Sequence, residues 1–158
     1  MKTRVRVRSS CGFWTASAEG LSRPITRMKT QAPKLCPCGT GQPYTHCCAP
    51  FHAGQAAPTA LALMRSRYSA YVLRDEAYLR ASWDSTSCPQ DLGFDSEGAH
   101  THWLGLDIKD HVETGADTAE VEFVARFRIG GGSAVRLHER SRFVRRDGRW
   151  YYLDGTHR

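Results

Sequence analysis

The chain reads as an α+β protein, with two N-terminal helices packed on an antiparallel sheet and a small metal knuckle in front of them. Apolar residues recur at helical spacing between residues 59 and 83. Beyond residue 103 the period changes to two. Ahead of both, Cys36, Cys38, Cys47 and Cys48 fall within thirteen residues. A segment that short cannot bury a core, so its shape must come from a shared ligand, and metal binding energy then serves as folding energy.

In the knuckle, Cys36 and Cys38 sit two apart, so a tight turn must aim both sulfurs at one point. Gly39 and Gly41 supply the unusual dihedrals. Four thiolates at about 2.3 Å in a tetrahedron make a closed, structural zinc site, and iron accepts the same ligands. His46 and His52 are possible substitutes for one cysteine. Disulfides or redox-active thiols are the other chemistries open to such a cluster. With Cys11 and Cys88 standing apart, the six cysteines do not form an even disulfide framework, which fits a reducing, cytoplasmic setting.

Residues 49–58, bearing Pro50 and Pro58, read as a short linker. Thr59 can cap a helix running to about Leu73, with Leu61, Met64, Tyr68, Tyr71 and Val72 as its apolar stripe and Arg67 and Arg74 largely off it. A second helix is expected from Asp75 to about Trp83, followed by a long connection over 84–102. In residues 120–129 the odd positions are apolar and the even ones mostly charged, the pattern of a half-buried strand. The Gly130-Gly131-Gly132 run turns the chain, residues 133–145 alternate again, and 103–112 and 149–153 complete the sheet.

Pairing the central hairpin through the glycines places Ile129 opposite Ser133, Phe127 opposite Val135 and Phe123 opposite Glu139. On the other face, Glu122 meets Arg140 and Glu120 meets Arg142. Cross-strand charge pairs account for the basic strand Arg136, His138, Arg140, Arg142 without any nucleic acid. One residue breaks the pattern. Glu139 shares its face with Val135, Leu137 and Phe143, where an unpaired carboxylate should not be buried. Either it lines a polar cavity, or it binds Arg65, Arg67 or a tyrosine hydroxyl.

The net charge of +6 is unevenly placed: residues 1–27 carry +5 and the remainder only +1. The folded part is therefore nearly neutral and nucleic acid is not its expected partner. Residues 1–27 are Arg- and Ser-rich and poor in acids, as transit peptides are, and contain no apolar core of a secretory signal. They are read as a disordered extension or as residues upstream of a true start at Met28. No apolar run approaches the roughly 18 residues of a membrane span.

Cys-Pro-Cys-Gly-Thr-Gly followed by Cys-Cys resembles the SEC-C motif, whose last ligand is often His where this chain has Cys48. Further blocks, at 63–71, 103–106, 121–125 and 137–143, make residues 34–155 resemble the YchJ family of small bacterial proteins. The resemblance implies a knuckle at 35–50 and a nuclear-transport-factor-2-like domain at 58–158, a cystatin-like cone in which a curved sheet wraps around helices. It also implies metal-dependent docking to a protein partner such as the SecB chaperone or the ribosome, with Gln42, Tyr44 and His46 as contact surface. A second reading places a small-molecule or acid/base site in the cone, lined by Arg65, Tyr68, Trp83, Trp103, Glu139 and Ser141, with Glu139 as base. No catalytic residue is assigned beyond that candidate.

Overall fold

Thr59 opens the main helix by accepting a hydrogen bond from Ala62 N at 3.1 Å, and the left-handed backbone of Arg74 (φ 60°) ends it. The computed structural model describes residues 34–94 and 100–158, so the expectations for residues 1–27 lie outside it. In chain order, helix α1 spans Ala49–His52, α2 Ala60–Leu73 and α3 Glu76–Ala81. Strands β1 (Thr101–Gly115), β2 (Thr118–Ile129), β3 (Val135–Arg146) and β4 (Arg149–His157) follow. They form one curved antiparallel sheet in the order β1-β2-β3-β4. No helix among the described residues is long and apolar enough to cross a membrane.

The expected register holds at Phe127↔Val135, Phe123↔Glu139, Glu122↔Arg140 and Glu120↔Arg142. The Ile129–Ser133 pair does not form. Ile129 pairs with Thr101 on β1 instead, and Gly130 N bonds His100 O at 2.9 Å, drawing the turn toward the first strand. Three register shifts in the β1–β2 ladder and one between β3 and β4 bend the sheet around the helices. Helix α3 ends earlier than expected because the next residues join the sheet edge: Tyr152 N bonds Ser82 O at 2.9 Å and Asp84 N bonds Tyr152 O at 2.8 Å. Residues 49–52, expected as linker, form α1, with Pro50 in the first turn where its missing N–H costs nothing.

Helix α2 is less amphipathic than its sequence suggests. None of residues 60–72 is exposed, and Ser66, Arg67 and Ser69 are fully enclosed with Leu63, Met64 and Tyr68. The sheet covers one side, α3 a second and the cysteine knuckle a third. The main core joins Leu63, Met64 and Tyr68 to Val121, Phe123, Ala125, Phe143 and Trp150. On the opposite sheet face Arg140 binds Glu120, Glu122 and Asp110 at 2.7–3.0 Å, and His138 meets Glu122 at 2.7 Å. Arg142 reaches across to Asp154 rather than to Glu120.

Asp84 fastens the end of the α3 segment to β3. Its buried carboxylate accepts from Arg146 Nε at 2.8 Å and from Thr86 N at 3.0 Å, and these bonds, Arg146 first, hold its pKa at about 2 against an ordinary 3.8. A depressed carboxylate stabilises the fold above its unfolded pKa and stops doing so once protonated. The stabilisation, on the order of 1–2 kcal/mol because Arg146 is largely solvated, is therefore complete above about pH 4 and lost as pH falls toward about 2. Urea unfolding of Asp84→Asn should show a flatter pH dependence across that window than the parent protein.

Candidate metal centre and a carboxylate-lined cavity

The knuckle is a miniature hairpin followed by two short helical turns. Leu35 bridges Pro43, Cys36 N bonds Gln42 O at 2.8 Å, and Gly39 and Gly41 turn the chain at φ near +79° and +76°. A 3-10 turn over Tyr44–His46 then delivers Cys47, and Cys48 starts α1. All four sulfurs lie within 4.8 Å of one another. Cys38 Sγ is 3.5 Å from Cys47 Sγ, which is 3.9 Å from Cys48 Sγ. A tetrahedral ion with bonds of about 2.3 Å requires sulfurs about 3.8 Å apart, so the set can hold one metal ion.

Two hydroxyls attend the sulfurs. Ser69 Oγ donates to Cys48 Sγ at 3.4 Å and lies 3.5 Å from Cys36 Sγ. Thr40 Oγ1 lies 3.4 Å from Cys38 Sγ and 3.3 Å from Cys47 Sγ. Such outer partners orient ligands and offset thiolate charge. The hydrogen bond from Cys48, then Thr40 against burial, draws the Cys38 thiol down to about 4, while donating to Cys38 and burial push Cys48 up. Buried thiols this close cannot all ionise unaided, and a shared cation removes that conflict.

The histidines stay outside the set. His52 Nε2 donates to Ser66 O at 2.9 Å and its Nδ1 accepts from Tyr44 Oη at 2.8 Å, so both ring nitrogens are committed. His46 is exposed and meets Thr45 Oγ1 at 3.4 Å. Tyr44, expected on the contact surface with Gln42 and His46, is half-buried against His52. Leu35, 67% exposed, stands on the surface instead. Arg65, a candidate for the cone pocket, lies at the knuckle: its Nη1 donates to Cys38 O at 3.0 Å.

Behind α2 lies a cavity of about 210 Å³, lined by Tyr68, Trp83, Trp103 and Glu139 of the expected set, together with Arg67, Tyr71 and Tyr152. Ser141 stands behind Glu139 rather than on the wall, donating to Oε1 at 2.7 Å. Tyr152 Oη donates to the same oxygen at 3.1 Å, and His157 Nε2 lies 3.2 Å from Oε2. Each alternative for Glu139 holds in part: the carboxylate lines a cavity and also binds a tyrosine hydroxyl, with no arginine among the described residues in bonding range. Its seat is made by Gly155: a Cβ there would come within 2.1 Å of Oε1. His138 faces away and pairs with Glu122.

Arg67 is the cavity residue that periodicity hides. It is 3% exposed, its Nη1 donates to Leu79 O at 2.9 Å and Ser82 Oγ at 2.7 Å, and its guanidinium packs against both the Trp83 and the Tyr152 ring, 4.7 and 4.5 Å from their centroids. Tyr152 and His157, on a strand that runs to His157 where an end at Leu153 is expected, had no local signal either.

The YchJ middle NTF2-like domain profile matches residues 59–155. A UPF0225 protein of Xanthomonas oryzae pv. oryzae is 61% identical over 119 residues, covering 75% of this chain and 92% of the relative. A UPF0225 protein of Ralstonia nicotianae is 55% identical over 130 residues, covering 76% and 89%. The solution structure of a SEC-C motif containing protein from Rhodopseudomonas palustris superposes with TM-score 0.70 at 36% identity, covering 78% of this chain and 98% of that one. The crystal structure of a SEC-C motif containing protein from Psychrobacter arcticus gives 0.64 at 31%, covering 77% and 81%.

Proposed function

Because the chain belongs to the YchJ family of SEC-C motif proteins, we propose that it is a zinc-binding interaction protein of the cytoplasm, docking to a partner protein through the outer face of its four-cysteine knuckle. One observation carries this reading. The cysteines turn inward, Cys36, Cys38 and Cys48 being buried against α2, while Leu35, Gln42, Thr45 and His46 face out. Four protein ligands leave no open position for a substrate, so the ion's task is to hold a shape, and the shape it holds is the exposed loop. An apolar Leu35 beside polar neighbours suits a small protein contact better than a nucleic acid, since the loop carries no lysine or arginine between residues 35 and 50.

The partner class is an export chaperone or the ribosome. The zinc-loaded protein should co-sediment with purified ribosomes or bind purified SecB chaperone, and the double variant Leu35→Asp, His46→Asp should weaken that binding about tenfold or more while keeping its metal. Equal binding by the variant to either partner would remove the knuckle face from the contact. Binding to neither by the parent protein would refute the partner class.

A further inference from the structure

The cavity behind α2 shares no lining residue with the knuckle and carries charged groups unusual for a buried wall. It combines two opposite charges, the Arg67 guanidinium and the Glu139 carboxylate, inside walls of tyrosine, tryptophan and phenylalanine. Neither charge is saturated. Nη1 of Arg67 is committed to Leu79 and Ser82, and the other two guanidinium nitrogens take no hydrogen bond among the described residues. Oε1 of Glu139 accepts from both Ser141 and Tyr152, whereas Oε2 meets only His157 at the solvent edge. Each charge is nearly nine-tenths buried or more, and the two are not in contact with each other. Buried groups of this kind are ordinarily paired, so a cavity presenting an acceptor and a donor with spare capacity is shaped for a guest that satisfies both.

The charges also limit what the guest can be. Arg67 and Glu139 offset one another across the cavity, with His157 at the solvent edge of Glu139, so a cationic or anionic ligand adds a net charge between aromatic walls. The walls add a second restriction. Tyr68 and Tyr71 meet Trp103 at ring separations of 5.5 and 5.7 Å, and Trp83 meets Tyr152 edge-on at 4.7 Å, leaving flat aromatic faces. The volume of about 210 Å³ is somewhat above the roughly 150 Å³ of an apolar cavity that takes benzene, which suits a single ring. Tyr71, Trp103 and Leu137 line the cavity and also the neighbouring surface groove with Leu92, Phe94 and Ile129, which provides a way in.

We propose that this cavity binds a small, planar, uncharged ligand with a carboxamide or lactam edge, its N–H on Glu139 and its carbonyl oxygen on Arg67, and its ring between the aromatic walls.

The test uses the full chain and three probes of one size: benzamide, benzoate and benzylamine. Benzamide should quench or enhance tryptophan fluorescence saturably, since Trp83 and Trp103 line the cavity, and its ring protons should give NOEs to Tyr71 and Trp103. Benzoate and benzylamine should bind about tenfold more weakly or worse. Glu139→Leu should lose benzamide binding, again by about tenfold or more. Should that variant fold poorly, Gly155→Ala serves in its place: it displaces the carboxylate without touching the walls and should weaken benzamide to a similar degree. Absence of saturable benzamide binding to the parent protein overturns the proposal. So does tighter binding of either charged probe, or undiminished binding to the variants. None of these outcomes depends on the cysteines, so failure here leaves the docking role of the knuckle untouched.

Discussion

Replacing Cys38 by serine should strip the metal from the protein and unfold the knuckle while the sheet stays folded. Cys38 is wholly buried, is among the nearest neighbours of Cys47 and receives the Thr40 hydroxyl, so its loss breaks the set at its centre. Structural zinc contributes about 10–16 kcal/mol of binding energy in isolated fingers, and a serine hydroxyl recovers little of it. The three remaining cysteines, the hairpin and the 3-10 turn cannot bury enough apolar surface to hold their shape alone. The main core of α2 and the sheet is a separate cluster and should survive with a lowered midpoint. Elemental analysis should show the metal falling from about one per chain to under about one-tenth. Limited proteolysis should then cut within residues 34–52 of the variant and not of the parent. One metal per chain retained in Cys38→Ser would exclude the four-sulfur site.

The second large effect is expected at Arg67. Truncation to alanine should cost about 3–5 kcal/mol, read as a shift in the urea unfolding midpoint. The change takes the donor from the Ser82 hydroxyl and one of two donors from the Leu79 carbonyl, removes the cation from the faces of Trp83 and Tyr152, and opens a void beside an existing cavity. Arg67→Lys should recover only part of the loss, because an ammonium cannot bridge both acceptors and stack on two rings together. A cost under about 1 kcal/mol for the alanine variant would mean that water replaces the guanidinium freely, contrary to its burial.

How much was legible in the sequence depends on how local the cause is. The four cysteines, the Thr59 cap and the period of β2 are determined by near neighbours, and the hairpin register follows once Glu122 is set against Arg140. Glu139 announced itself by violating a period. Arg67 did not, because a helix enclosed on every side has no polar face for an arginine to violate. The contrast between Arg65 and Arg67 shows the limit: two residues apart, one serves the knuckle and the other the cavity, and only the positions of α3 and the hairpin decide which. Tyr152 and His157 were hidden for a related reason, since the extension of β4 is dictated by its pairing with β3 and by the Ser82–Asp84 segment at its edge. The partners of the metal ligands, Ser69 and Thr40, differ in the same way. Thr40 sits inside the motif, whereas Ser69 lies 33 residues along the chain from Cys36.

Helix α2 carries Arg65 and Ser69 toward the knuckle and Met64, Arg67, Tyr68 and Tyr71 toward the cavity within a short stretch of backbone. A rigid rod cannot roll to suit one side without moving the other. Any effect of metal on the cavity would therefore have to pass through a shift of α2, and a guest in the cavity would return it to the metal by the same factor.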